Sequence, residues 1–273
     1  MVIESELPIN KDSTVPYRIV REIAFFRQRM RDSVRYWPEV LDSGDIKHPA
    51  RPDITVPCAV MEYLEGRLLN YCLLNPIFNT PEMVLAVAMQ LLHAIELAKD
   101  CDDIGGHFVL RGFKTQNIMI MRPGSNGIFV RLFDANTVAN PRRRRLTPPG
   151  LVCCEVDTVA PEIAKRESMD QRSDVYAIGA IMYEMLAGHP VFTTDSGPET
   201  FYQHVCFPVP IISSPSIPDD VKNIVYRFLS KAPDDRPPDA ASARNEVVEL
   251  YRKLGFDMSP VTQYIGPAYQ LEA

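Results

Sequence analysis

The tripeptide Ala160-Pro161-Glu162, followed after a short charged run by Ser173-Asp174-Val175-Tyr176-Ala177-Ile178-Gly179, constrains this chain more than any other feature. The second motif lies in an apolar stretch, residues 170–187, that Gly188 ends. Such a stretch reads as a buried helix with a glycine just past its C-terminus. Val175, Ile178, Ile181, Met182 and Met185 recur at helical spacing and are assigned to core. A helix buried along its length needs other helices around it. The sequence offers them: residues 81–99 read as a strong amphipathic helix, and two more amphipathic helices are predicted over about 218–230 and 239–254.

Ahead of this helical body the pattern changes. Ser13 can cap a helix whose apolar positions Val20, Ile23, Ala24 and Phe26 follow a spacing of three to four. Residues 54–62 are β-rich and apolar, as a buried strand would be. Ile118–Met121 and Ile128–Phe133 read as short strands joined across the turn cluster Pro123-Gly124-Ser125-Asn126-Gly127. No internal repeat is evident, and the tail from Gly255 has no clear period. The predicted class is α+β.

A chain of 273 residues with 46% hydrophobic content can bury a sizeable core. Its net charge of -6 disfavours a general role on nucleic acid or an anionic membrane surface. The 6 cysteines, at 58, 72, 101, 153, 154 and 206, form neither a C-x-x-C pattern nor a disulfide-like framework, which suits a reducing, cytoplasmic setting. The most apolar stretch, Val84–Ala98, contains Gln90, His93 and Glu96 and is too short to span a bilayer. No signal peptide is visible at Met1.

The pair of motifs at 160–179 resembles a eukaryotic-type protein kinase, and further segments extend the likeness from about Glu22 to about Leu254. Arg131-Leu132-Phe133-Asp134-Ala135-Asn136 stands where the metal-binding motif should, and Val109-Leu110-Arg111-Gly112-Phe113-Lys114-Thr115-Gln116-Asn117-Ile118 looks like the catalytic loop. Cys58 to Gly66 reads as a strand running into the kinase hinge, and Pro233-Asp234-Asp235-Arg236-Pro237 is similar to the family's late arginine motif. The resemblance implies a bilobal fold: a truncated small β lobe and hinge over 1–64, a complete, mainly helical large lobe over 65–254, and a tail over 255–273. It also implies ATP at Met61, Glu62, Leu64 and Met119, with Glu62 offering its carbonyl and Leu64 its amide to adenine. Mg2+ would sit on Asn117 and Asp134, and Lys114 is a possible phosphate contact. Glu162 would pair with Arg236, and Asp174 would accept backbone N–H groups of the catalytic loop.

Several catalytic positions depart from the family pattern. Gly112 replaces the catalytic Asp, Leu110 the His, and Ala135-Asn136 the usual Phe-Gly. No G-x-G-x-x-G occurs in the chain. Glu4 falls near the position of the phosphate-binding lysine, and Lys11 is the only Lys before the helix carrying Glu22. Positioning of a general base contributes roughly 10² to 10⁴ in rate. A kinase of roughly 1 to 100 turnovers per second would therefore fall to roughly 10⁻⁴ to 1. His107 is a weak candidate substitute base. Regulation is read at Arg111, which would bind a phosphorylated loop residue or merely brace the loop, and at Arg142-Arg143-Arg144-Arg145-Leu146-Thr147, which resembles a site of basophilic kinases. Thr158 and Cys153-Cys154 are weaker candidates. No aromatic residue interleaves the four arginines, which argues against nucleic acid.

Two readings follow. The first is a pseudokinase that acts through nucleotide and a protein partner; the second is a working Ser/Thr kinase, favoured by Lys114 two residues beyond Gly112. A small-molecule kinase of the aminoglycoside type fits less well, because it lacks the motifs at 160–179.

Overall fold

A computed structural model of the protein describes residues 22–23, 25–27, 36–48, 50–99, 109–110, 113–121, 128–133 and 155–259. In chain order these form β1 (Val40–His48), β2 (Arg51–Met61), β3 (Gly66–Leu68), the short helix α1 (Leu69–Cys72), the long helix α2 (Pro81–Lys99), β4 (Ile118–Met121) and β5 (Phe129–Leu132). Helices α3 (Pro161–Lys165), α4 (Gln171–Ala187), α5 (Gly197–Cys206), α6 (Asp219–Phe228) and α7 (Ala240–Lys253) complete the large lobe. The fold is α+β and kinase-like, with a few strands and many helices.

Helix α4 is the axis of that body. Asp170 caps it by accepting a hydrogen bond from Arg172 N–H at 2.8 Å, and Gly188 ends it at φ 79°, a conformation glycine adopts without penalty. Between the caps nearly every residue is buried. Gly179 is needed for packing. A Cβ there would lie 2.7 Å from Phe228 Cβ, so α6 lies directly against the α4 backbone.

Helix α2 begins at Pro81, with the Thr80 carbonyl accepting from Val84 N–H at 3.0 Å. It differs from its sequence reading. Residues from Val84 to Ile95 are buried on all sides, because α4, α7 and β5 pack around the helix. Gln90 and His93, which made it look amphipathic, face inward with partners. Gln90 donates to Ile128 O at 2.8 Å and accepts from Val130 N–H at 3.0 Å, serving backbone groups at the start of β5. His93 Nδ1 is hydrogen-bonded to Tyr36 Oη at 3.0 Å. By composition Pro81–Ala98 could cross a membrane, but 72% of it is buried within the fold, as in the core helix of a globular domain.

The strands form two antiparallel sheets. One is the hairpin β1-β2; the other has the order β3-β4-β5. Strand β2 is half-buried rather than buried: Val56, Ala59 and Met61 face the core while Asp53, Thr55 and Val60 face solvent. Residues 22–23 and 25–27 are helical, and Ile23, Phe25 and Phe26 are buried, with Phe25 edge-on to Trp37 at 5.1 Å. Tyr36 bridges β5 and α2. Its carbonyl accepts from Leu132 N–H at 2.7 Å, and its side chain reaches α2.

Candidate functional site

The catalytic-loop segment is held from several sides. Asp174, in the first turn of α4, is fully buried, and its carboxylate oxygens accept from Leu110 N–H at 3.1 and 3.0 Å. A carboxylate removed from water needs such donors, so the contact fixes the loop's start onto α4. The Thr158 hydroxyl donates to Phe113 O at 2.6 Å, and the Thr115 hydroxyl donates to Glu184 at 3.0 Å. Thr115–Asn117 makes one 3-10 turn, with Asn117 N–H donating to Lys114 O at 2.9 Å. The Lys114 ammonium lies 2.8 Å from the Glu155 carboxylate.

Carboxyl groups crowd this region. Burial raises the Asp157 carboxyl against the opposing charge of Lys114. Burial also raises Glu184, whose neighbour Asp157 adds to the effect while the Thr115 hydrogen bond works against it. The surroundings of Lys114 are therefore acidic.

Met61 and Leu64, at the end of β2 and just beyond it, are buried, and Met119 is half-buried in β4. Strand β3 comes so close to β4 that a Cβ at Gly66 would lie 2.6 Å from Ile120 O and 2.7 Å from Met119 Cγ. Glu62 is tied to its neighbours. Arg131 donates to both carboxylate oxygens, at 2.7 and 3.3 Å, and also to Trp37 O at 2.9 Å. Glu62 N–H donates to Glu39 O at 2.8 Å, and Glu39 N–H returns to the Glu62 carboxylate at 3.1 Å. Phe133 N–H donates to Asn117 O at 3.4 Å, which sets Asn117 beside the residue preceding Asp134.

Asn117 carries an amide oxygen, the hard kind of donor that Mg2+ takes, and Leu64 and Met119 are apolar, while Met61 faces the core. Asp134 itself lies outside the described residues, as do Arg111, Gly112, His107, Thr147 and Arg142–Arg145.

Deeper in the large lobe, Arg236 and Glu162 form a bidentate pair at 2.8 and 2.9 Å, with side chains 0% and 4% exposed. The Ser173 hydroxyl donates to the same carboxylate at 2.6 Å, and Arg236 also donates to the carbonyls of Ser230, Lys231 and Arg172. Its guanidinium lies 4.9 Å from the centre of the Tyr176 ring. Burial alone would raise the Glu162 carboxyl; the hydrogen bonds and charge of Arg236 outweigh it and hold the group below the usual range. Beside this knot, burial and the Arg236 charge bring Lys231 down to about 8.

Sequence reasoning missed Glu155, Asp157, Glu184 and Arg131. Arg131 carried a signal: a lone charge inside an apolar strand demands a buried partner. The carboxylates carried none, since their meeting with Lys114 and Thr115 is purely tertiary. Thr158, read as a weak modification site, is instead buried with its hydroxyl committed to Phe113 O.

Comparison with known proteins agrees with this architecture. The family model described as protein kinase domain matches residues 10–247. The chain is 30% identical over 214 residues to serine/threonine-protein kinase PknB of Mycobacterium tuberculosis, covering 78% of this chain and 33% of the relative. It is 28% identical to a probable serine/threonine-protein kinase of Streptomyces coelicolor, over 78% of this chain and 32% of that protein. It is 31% identical to the DNA damage-responsive serine/threonine-protein kinase RqkA of Deinococcus radiodurans, over 74% of this chain and 29% of that one. The chain thus spans about a third of the length of the curated relatives it matches. With the Asp174-anchored loop, the Glu162–Arg236 pair and a family match over most of its length, the chain belongs to the protein kinase domain family.

Proposed function

We propose that this protein is a catalytically impaired kinase domain, a pseudokinase that binds nucleotide weakly and works as a regulatory interaction module for a protein partner in the cytoplasm. The observation that carries the reading is Gly112 at the position where the family places the carboxylate that accepts the substrate hydroxyl proton. Glycine has no side chain to orient that hydroxyl. Around it the scaffold is kept: Asp174 holds the loop, Asn117 stands beside the residue preceding Asp134, and Met61, Leu64 and Met119 supply apolar surface. ATP with Mg2+ would be held by Asn117 and Asp134 at the metal, by the Glu62 and Leu64 backbone at the base, and by Lys114 at the phosphates.

Two backbone hydrogen bonds and an apolar cleft support roughly 4 to 7 kcal/mol, a Kd of about ten micromolar to one millimolar. Titration calorimetry of ATP with and without Mg2+ tests this. Binding in that range that requires Mg2+ and falls in Asp134→Ala is the expected outcome; no binding at millimolar ATP, or binding indifferent to both changes, would refute it.

A second reading rests on the relatives. Those compared are named serine/threonine-protein kinases, so an active Ser/Thr kinase remains the alternative.

A further inference from the structure

We infer that Glu155 is a built-in competitor for the phosphate-facing lysine: its carboxylate holds the Lys114 ammonium and must leave before a nucleotide phosphate can take its place. This rests on the nucleotide reading above and goes beyond it, since it assigns a regulatory role to a residue outside the catalytic motifs.

The geometry comes from both flanks of the activation segment. On one side Phe133 N–H donates to Asn117 O, and on the other Glu155 stands against Lys114. The backbone at Glu155 is held in place, so that only its side chain has to move, because the turn Val156–Thr158 that follows it is fastened by the Thr158 hydroxyl to Phe113 O at 2.6 Å. Lys114 is equally constrained, being followed by Thr115, which is tied to Glu184 at 3.0 Å, and by Asn117 at the metal position. Two anchored backbones thus present one carboxylate to one ammonium at 2.8 Å. Asp157 is close enough to feel the charge of Lys114. A phosphate oxygen approaching Lys114 therefore has to displace one carboxylate while a second repels it. The pair is partly exposed, 32% and 23%, so displacement is feasible rather than prohibitive. Adenosine, which has no phosphate, does not meet this barrier.

The test compares ATP and adenosine on wild type, Glu155→Gln, Lys114→Met and the double variant, by calorimetry in Mg2+ buffer. Gln is isosteric and removes the charge alone. Glu155→Gln should tighten ATP about fivefold, the scale of an ion pair of this exposure, leave adenosine unchanged, and lose its advantage when Lys114 is Met. An unchanged ATP-to-adenosine ratio overturns the inference while leaving the nucleotide reading intact, as does an equal gain in the Lys114→Met background. If neither ligand binds any variant, the nucleotide reading falls and this inference falls with it.

Discussion

Two carboxylate–cation pairs divide the labour of this molecule. Glu162–Arg236 is buried, bidentate and surrounded by further donors and acceptors, whereas Lys114–Glu155 is a single contact with both partners partly in water. A buried pair contributes little net stability over an apolar replacement, yet losing one partner strands the other charge away from water. Such a pair locks a fold. A partly exposed pair costs little to open, so it is suited to contacts that a ligand or a conformational change can exchange. The scaffold of the kinase domain is built with the first kind of interaction, and the strip beside Gly112 with the second.

The largest expected effect tests the first half of that contrast. Glu162→Ala and Arg236→Ala should each destabilise the fold by about 3 to 5 kcal/mol, and the double variant by less than their sum. Denaturant midpoints decide; additive losses would mean that the pair is not a unit.

Acid sharpens the contrast next. Burial brings His93 down to about 4 and His204 down to about 3, with the Arg244 and Lys231 charges adding to it. Both folded values lie below the value of about 6.5 expected in the unfolded chain. The unfolded state therefore binds more protons as pH falls, so stability is complete above about pH 6.5 and is lost towards pH 4, at up to about 2.7 kcal/mol per pH unit for two groups. Glu162 acts later and in the same sense: its carboxyl is held below the usual range, so its contribution is present above about pH 4.5 and is lost as pH falls from there towards its folded value. Urea titrations from pH 7.5 to 4.5 should show this slope, and a flat profile would break it.

Gly66→Ala examines the close approach of β3 to β4. The new methyl would press on Ile120 O, a backbone atom that cannot rotate away. Overpacking of this kind costs about 1 to 3 kcal/mol, readable as a lowered thermal midpoint. Smallest is Glu155→Gln, which should change stability by less than about 1 kcal/mol and show its main effect in ATP affinity.

The scaffold was legible in the sequence where structure is local. The stop at Gly188 and the helical spacing before it give α4 directly, whereas the cap at Asp170 was not read. Helix α5 was not seen: its buried side chains include Thr200 and His204, polar groups that only a folded neighbourhood makes core-like. Strand β1 was missed because Asp42, Gly44, Asp45 and Lys47 are exposed, leaving no alternating apolar face to detect. Helix α2 was placed correctly but misread as amphipathic, since Gln90 and His93 look like surface residues until their partners on β5 and Tyr36 are known. At the site, motif spacing supplied the family positions as expectations. It could not supply the carboxylates near Lys114, because they lie far from it in sequence and only folding brings them together.

The most direct test of the central claim, that the scaffold is kept while the chemistry is lost, is phosphoryl transfer by the purified chain from labelled ATP with Mg2+ to a generic protein substrate. The account predicts incorporation near background and no further drop in Asp134→Ala. Transfer at ordinary kinase rates, roughly 1 to 100 per second, that Asp134→Ala abolishes would contradict it and establish this chain as a working kinase.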